Sequence, residues 1–203
     1  MQLLNILTIA IPLASALPYG SPQCVFNETN IQRGMPGVRR PIDHKYSLGF
    51  SMEVSMNYDF ILTGQLTYNF QLQGQNLTNG YQGLLMYVTN GIDLHNHLGN
   101  FTDFDVSKFK HVDLPFCKRE KVLGLPTASI THSNPEVYPD GTNFTWAPNK
   151  DDFKNGSLVL STVVIAYSYE KEALGYQQLP DVTVPAPGFD IEIDIDFVEG
   201  KNK

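Results

Sequence analysis

Residues 62–73 read LTGQLTYNFQLQ, and this stretch decides the fold class because apolar and polar side chains alternate along it. The apolar side chains share one face: Leu66, Tyr68, Phe70 and Leu72. The threonines, glutamines and asparagine between them share the other face. A period of two is typical of a β-strand with one face in a core and the other in water. The stretch therefore predicts a surface strand of a β-sheet.

Further strands are predicted along the rest of the chain. Residues 81–89 follow the turn dipeptide Asn79-Gly80, which tolerates the positive φ of a hairpin. Phe144 and Trp146 are two residues apart and would point inward together. Residues 158–167 read LVLSTVVIAY and are apolar on both faces, as in a central strand covered on both sides. Short strands with turn signals between them predict an all-β chain, an antiparallel β-sandwich of one domain.

Length and charge restrict the function further. The chain has 203 residues and a net charge of −7, with 42% hydrophobic and 17% charged residues. This composition argues against intrinsic disorder, and the length suits one well-buried domain. Sequence-independent binding of nucleic acid needs clustered positive charge. Because this chain has a negative net charge, we expect no nucleic acid partner.

The first sixteen residues read MQLLNILTIAIPLASA, an uncharged apolar stretch that ends in small residues. This pattern predicts a signal peptide over residues 1–16, with cleavage after Ala16 and a mature chain that begins at Leu17. Pro12 and Pro18 interrupt the run before it reaches the roughly 20 apolar residues of a membrane span. We therefore expect a secreted, extracellular protein without a membrane span.

Five N-x-Ser/Thr sequons and two cysteines agree with secretion. More sequons occur than chance readily explains, which favours a glycosylated surface. In an oxidising compartment, Cys24 and Cys117 permit one intramolecular bridge, and nothing near either residue favours a catalytic thiol. The sequence thus predicts a disulfide between the two cysteines and N-glycans at the sequon asparagines, which are Asn27, Asn76, Asn100, Asn143 and Asn155.

Several short motifs follow one another in a fixed order. A Gly/Pro-rich start precedes the first cysteine. An aromatic-x-Gly-aliphatic-aliphatic strand, a Gly-x-Phe, a Thr-His-Ser block and a Phe-x-Trp-x-Pro run come after it. They lie at residues 18–24, 81–87, 99–101, 131–133 and 144–148. Together they resemble the reeler domain, a secreted Ig-like β-sandwich at the front of reelin and F-spondin that also occurs in stand-alone insect defence proteins. The resemblance covers residues 18–170.

The predicted signal peptide and the resemblance together predict three parts of the chain. Residues 1–16 are the signal peptide, residues 17–170 the reeler-like sandwich, and residues 171–203 a C-terminal extension. Within the extension, residues 190–197 read DIEIDIDF and predict a strand whose apolar side chains pack on the sandwich. Its four carboxylates would line the outer face. They either attract Ca²⁺ or, as we favour, prevent edge-to-edge aggregation.

His95 and His97 form the most suggestive candidate for a metal site. Side chains two apart on an extended segment share a face, and nearby aspartates could supply oxygen ligands for copper or zinc. Two solvated histidines in a Gly/Asn-flanked loop are the commoner explanation, because a short motif without structural context is weak. We therefore predict no metal and no cofactor, and keep His95 and His97 as candidate ligands.

Nucleophilic catalysis has little support in the sequence. His132 lies in the Thr-His-Ser block at a strand end, where its ring nitrogens can tie backbone groups together. Ser133 or Ser161 could complete a triad with it only if one of them were activated, and the Gly-x-Ser-x-Gly elbow of hydrolases does not occur. We expect no catalytic residues and no enzyme activity.

Four basic residues, Arg33, Arg39, Arg40 and Lys45, could form a small cationic patch for anionic glycans. Such clusters are more often solvated loops. They stay candidate ligand-binding residues.

The sequence therefore predicts a secreted, glycosylated, non-catalytic binding module. The resemblance implies an extracellular or cell-surface partner, which is a glycan, a microbial surface or matrix. Two alternatives stay open: a secreted metal-binding or redox protein that uses His95 and His97, and a structural component of a coat or cell wall.

Overall fold

The structure, a computed structural model, describes residues 20, 21, 23–28, 45, 47–59, 65–74, 80–134 and 136–187. Several predicted features lie outside these residues. They are the signal peptide 1–16, the sequon at Asn76, the side chain of Asn155, the arginines Arg33, Arg39 and Arg40, and the acidic strand 190–197.

Within the described residues, ten strands form two antiparallel sheets. In chain order they are β1 (Phe50–Asp59), β2 (Gln65–Gly74), β3 (Gly83–Thr89), β4 (Asn100–Asp103), β5 (Phe109–His111), β6 (Ser129–His132), β7 (Thr142–Ala147), β8 (Leu158–Ser168), β9 (Ala173–Gln178) and β10 (Val182–Val184). A short helix, α1 (Pro115–Arg119), and a 3-10 turn (Asp152–Asn155) interrupt them.

The two sheets differ in size. One has four strands in the order β1-β2-β7-β4. The other has six, in the order β10-β8-β3-β6-β5, with β9 also paired to β8. The predicted fold class, an Ig-like antiparallel β-sandwich, is confirmed.

The alternating stretch behaves as its pattern predicts. In β2, Tyr68, Phe70 and Leu72 are fully buried between the sheets, whereas Gln65 is exposed. Phe144 and Trp146 of β7 pack beside them, since Phe70 pairs with Phe144 and Tyr68 with Trp146. Alternation is visible here because the outer face of the four-stranded sheet is in water.

The apolar strand β8 is covered on both sides, as predicted. Leu158, Leu160 and Val164 face the main core, whereas Val163 packs on the opposite face with Tyr176. Strands β9 and β10 both pair with β8, so the sandwich continues to residue 184. It thus extends past residue 170, where the family motifs end, because later strands complete the edge of the larger sheet.

The outer face of the six-stranded sheet is covered by two chain segments. Residues 23–28 and the segment around α1 lie over Leu85 and Tyr87 of β3. The disulfide Cys24–Cys117 is present, joins these segments across 93 residues, and is buried. It therefore fixes both covering segments to one place on β3. No helix among the described residues is long and apolar enough to cross a membrane.

Candidate functional site

The loop that carries His95 and His97 is held by its own side chains. Asn90 Oδ1 accepts hydrogen bonds from the backbone N–H groups of Ile92 and Asp93, at 3.0 and 2.9 Å. Asp93 Oδ1 then accepts one from the N–H of His95 at 3.0 Å. Such Asx turns explain why an Asn/Gly-flanked segment folds into one defined loop.

His97 is buried, with 2% of its surface exposed, and both of its ring nitrogens are engaged. Nε2 lies 3.1 Å from the carbonyl oxygen of Leu94, which can only accept, so Nε2 carries the proton. Nδ1 then accepts from the hydroxyl of Ser129 at 2.5 Å. The ring also stacks on Tyr87, with centroids 4.3 Å apart. Burial lowers the pKa of His97 to about 4, so the imidazole is neutral at neutral pH.

The two histidines therefore have different environments. His95 is exposed, whereas His97 faces the larger sheet with its nitrogens occupied. A metal ion on His97 would have to displace the Ser129 or Leu94 contact. Within the described ranges, no group of three or more His, Cys, Asp or Glu side chains could hold a metal ion. The loop does not present both imidazoles to one ion.

The Thr-His-Ser block has a structural role in this fold. His132 Nδ1 accepts from the backbone N–H of Leu84 at 3.2 Å, and Thr131 Oγ1 donates to the carbonyl of Leu84 at 2.7 Å. Both contacts connect β6 to β3, the kind of backbone tie that the sequence predicted for this histidine. Ser133 Oγ donates to the carbonyl of Ser107 and Ser161 Oγ to Asp181, so both candidate nucleophiles bond other groups.

Of the candidate cationic patch, only Lys45 falls within the described residues. Its ammonium lies 3.9 Å from Glu28 Oε1, and both side chains are about half exposed. Glu28 Oε1 also accepts a hydrogen bond from the phenol hydroxyl of Tyr176 at 2.7 Å. Lys45 thus sits beside an acid, and a role in binding anionic glycans stays a prediction.

The described sequon asparagines differ in access. Asn27 and Asn143 are exposed, and Asn143 lies on the outer face of β7 opposite Gln71 of β2. Asn100 is half-buried. Its amide nitrogen donates to Asn149 and its oxygen accepts from Thr127, so both ends of the amide are engaged. Among these three, Asn143 and Asn27 present the more accessible side chains for a glycan.

A shallow cavity of about 200 Å³ lies at one end of the six-stranded sheet. It is lined by residues from three separate parts of the chain: Gly80, Gln82, Val137, Tyr167 and Tyr169. We call it the tyrosine pocket. The rings of Tyr167 and Tyr169 are 39% and 57% exposed, and they meet edge to face with centroids 6.0 Å apart.

Gln82 supplies the polar group of the tyrosine pocket. Its backbone N–H donates to the carbonyl of Ile165 at 2.7 Å, which fixes it beside β8. Its side-chain oxygen is buried, and no described residue gives that oxygen a hydrogen bond. Next in sequence to Tyr169, Glu170 and Lys171 form an ion pair with each other at 2.5 Å. The pocket therefore combines two exposed aromatic rings with an amide side chain, and none of its lining residues is charged.

The sequence alone does not predict the tyrosine pocket. One signal was available, since Tyr167 and Tyr169 are two residues apart and share a face where the apolar run of β8 ends. Nothing in the sequence places Gln82 and Val137 beside them, because that proximity depends on the pairing of β3 with β8.

Comparison with known proteins gives one similarity of fold. No family model matches the sequence, and no curated protein matches it. The structure is similar to the crystal structure of the human F-spondin reeler domain (fragment 1). The TM-score is 0.47 at 12% identity, over 71% of this chain and 92% of that chain. The sequence motifs predicted a resemblance to the same family. What this chain binds has to be argued from its own residues.

Proposed function

We propose that this chain is a secreted, non-catalytic binding module that recognises a glycan on an extracellular surface or matrix through the tyrosine pocket. The observation that carries the proposal is the pair of exposed tyrosines that line the tyrosine pocket beside Gln82.

The chemistry of the tyrosine pocket suits a sugar ring. The C–H groups on one face of a pyranose pack on aromatic rings, while its hydroxyls donate to and accept from amides and phenols. Tyr167 and Tyr169 supply both an apolar face and a hydroxyl. A volume of about 200 Å³ is below that of pockets for larger ligands, so we expect one sugar residue to be held.

Three features of the chain support an extracellular location. The apolar leader 1–16 predicts export, the sequons predict glycosylation, and the Cys24–Cys117 disulfide is typical of oxidising compartments. The location makes glycans on cells, microbes or matrix the accessible partners.

A glycan array probed with the mature protein tests the proposal. We expect a set of neutral glycans with a common terminal sugar to bind. The variants Tyr167→Ala and Gln82→Leu should lose the same signals, because they remove a stacking face and the amide that lines the pocket. Val106→Ala is a matched control, since Val106 is 79% exposed and does not line the pocket. An array without signal, or signals that persist in both pocket variants, would contradict the proposal.

A further inference from the structure

Strand β1 forms one edge of the four-stranded sheet, and among the described residues it pairs with β2 alone. The side chain of Gln177, from the other sheet, shows in which direction the unpaired-edge backbone groups of β1 point. Gln177 Oε1 accepts from the N–H of Phe50 at 3.1 Å, and Gln177 Nε2 donates to the carbonyl of Phe50 at 2.9 Å. Phe50 therefore points both backbone groups away from β2.

The same direction repeats every second residue along the strand. The N–H and C=O groups of Met52, Val54 and Met56 consequently point to the same edge as those of Phe50, where the described residues provide no further strand. The side chains of these residues lie on the core face but are incompletely covered. Met52 and Val54 are partly buried, and Met56 is 49% exposed. Among the described residues, therefore, neither the edge of β1 nor the adjacent apolar face is fully covered.

The chain leaves the described region beside this edge. Strand β10 lies next to β1. One residue later, the carbonyl of Pro185 accepts from the hydroxyl of Tyr68 at 2.5 Å. Tyr68 is the β2 residue that pairs with Met56. The described chain therefore ends two residues after a contact with the strand that neighbours β1.

We propose that residues 190–197, DIEIDIDF, add to the open edge of β1 as a further strand of the four-stranded sheet. Eight residues of strand span about 26 Å, enough to pair with the whole stretch from Met52 to Met56. The three isoleucines and Phe197 cover the incompletely buried face, and the four acidic side chains lie on the solvent side. There they neighbour Ser51, Glu53, Ser55 and Asn57, of which one is charged.

In this placement the alternating acidic residues of 190–197 protect the edge of the sheet against association. A ten-residue edge with apolar side chains is a template for pairing with other chains. The added strand occupies that edge and becomes the new edge itself, with like charges that oppose association. The chain thereby completes its own sheet and stays monomeric.

Hydrogen exchange read by mass spectrometry tests the proposal on the mature chain. Peptides that cover β1 should exchange at least about tenfold more slowly in the wild type than in a variant that ends at Pro187. Ile193→Pro in the full chain should speed the exchange of β1 as the truncation does, since proline lacks the backbone N–H that a sheet hydrogen bond needs. Glu192→Lys should keep the slow exchange, because residue 192 lies on the solvent side. Fluorescence of Trp146 and retention of the disulfide report that each variant is folded.

Two results would overturn the proposal. Equal exchange of β1 in the wild type, the truncated chain and Ile193→Pro would show that residues 190–197 do not protect this edge. Protection that rises with protein concentration, together with a dimer on size-exclusion chromatography, would assign the edge to a second copy of the chain.

Discussion

Replacing His97 by phenylalanine, together with Ser129 by alanine, should remove a pH dependence from the stability of the domain. Phenylalanine keeps a flat ring for the contact with Tyr87, and alanine avoids leaving a buried hydroxyl without its acceptor. The carbonyl of Leu94 loses its donor in this variant, but Leu94 is 42% exposed and water can replace the donor.

The magnitude follows from the pKa of His97. Burial lowers it from 6.5 to about 4 in the folded protein. Below pH 6.5 the unfolded chain takes up a proton that the folded chain does not, so the free energy of unfolding falls as pH falls. The stabilisation is complete above pH 6.5 and is lost between pH 6.5 and about 4. At 1.36 kcal/mol per pKa unit, the total loss is about 3 kcal/mol.

Urea denaturation, followed by the fluorescence of the buried Trp146, provides the assay. Between pH 7 and pH 4.5 the wild type should lose about 2.5 kcal/mol more stability than the double variant. His95→Gln serves as the matched control, because His95 is exposed, and it should retain the wild-type dependence. Identical pH profiles for the wild type and the double variant would refute the assignment of His97 as a buried neutral histidine.

Three further predictions concern the framework. Cys24→Ala with Cys117→Ala should lower the free energy of unfolding by about 4–5 kcal/mol in the loop-entropy model, measured by chemical denaturation at equal pH; a loss below about 1 kcal/mol would contradict it. Gly99→Ala should cost more than about 2 kcal/mol and shift the emission of Trp146, because Gly99 has φ +62° and a Cβ there would collide with the indole ring. Asn143→Gln should remove the mass of one glycan from the secreted protein while the thermal midpoint changes little, since Asn143 is exposed; an unchanged mass would show that this sequon is not used.

The sequence predicted those parts of the fold that depend on local periodicity. Strand β2 has one face in water, so its alternation is visible, and β8 is buried on both sides, so its run is continuously apolar. The disulfide was predictable because two cysteines in an oxidising compartment have one pairing. Strands β9 and β10 were assigned to an extension because the family motifs end before them, although they complete the edge of the larger sheet.

The candidate sites were harder to predict because they depend on contacts between distant residues. His97 resembles a metal ligand in sequence, yet Tyr87 and Ser129, 10 and 32 residues away, bury it and occupy Nδ1. The tyrosine pocket joins residues 80–82, 137 and 167–169, which meet only after β3 and β8 pair. No local sequence pattern predicts that these residues lie close together.

The central claim is that a glycan binds in the tyrosine pocket. It is tested most directly by calorimetric titration of the wild type and of two Tyr169 variants with a glycan selected on the array. Tyr169→Phe keeps the ring that stacks on the sugar and should bind within a few-fold of the wild type. Tyr169→Ala removes it and should bind about tenfold more weakly, the loss expected for roughly 1–1.5 kcal/mol of aromatic contact. Equal affinity of the wild type, Tyr169→Phe and Tyr169→Ala would contradict the assignment of the tyrosine pocket as the glycan site.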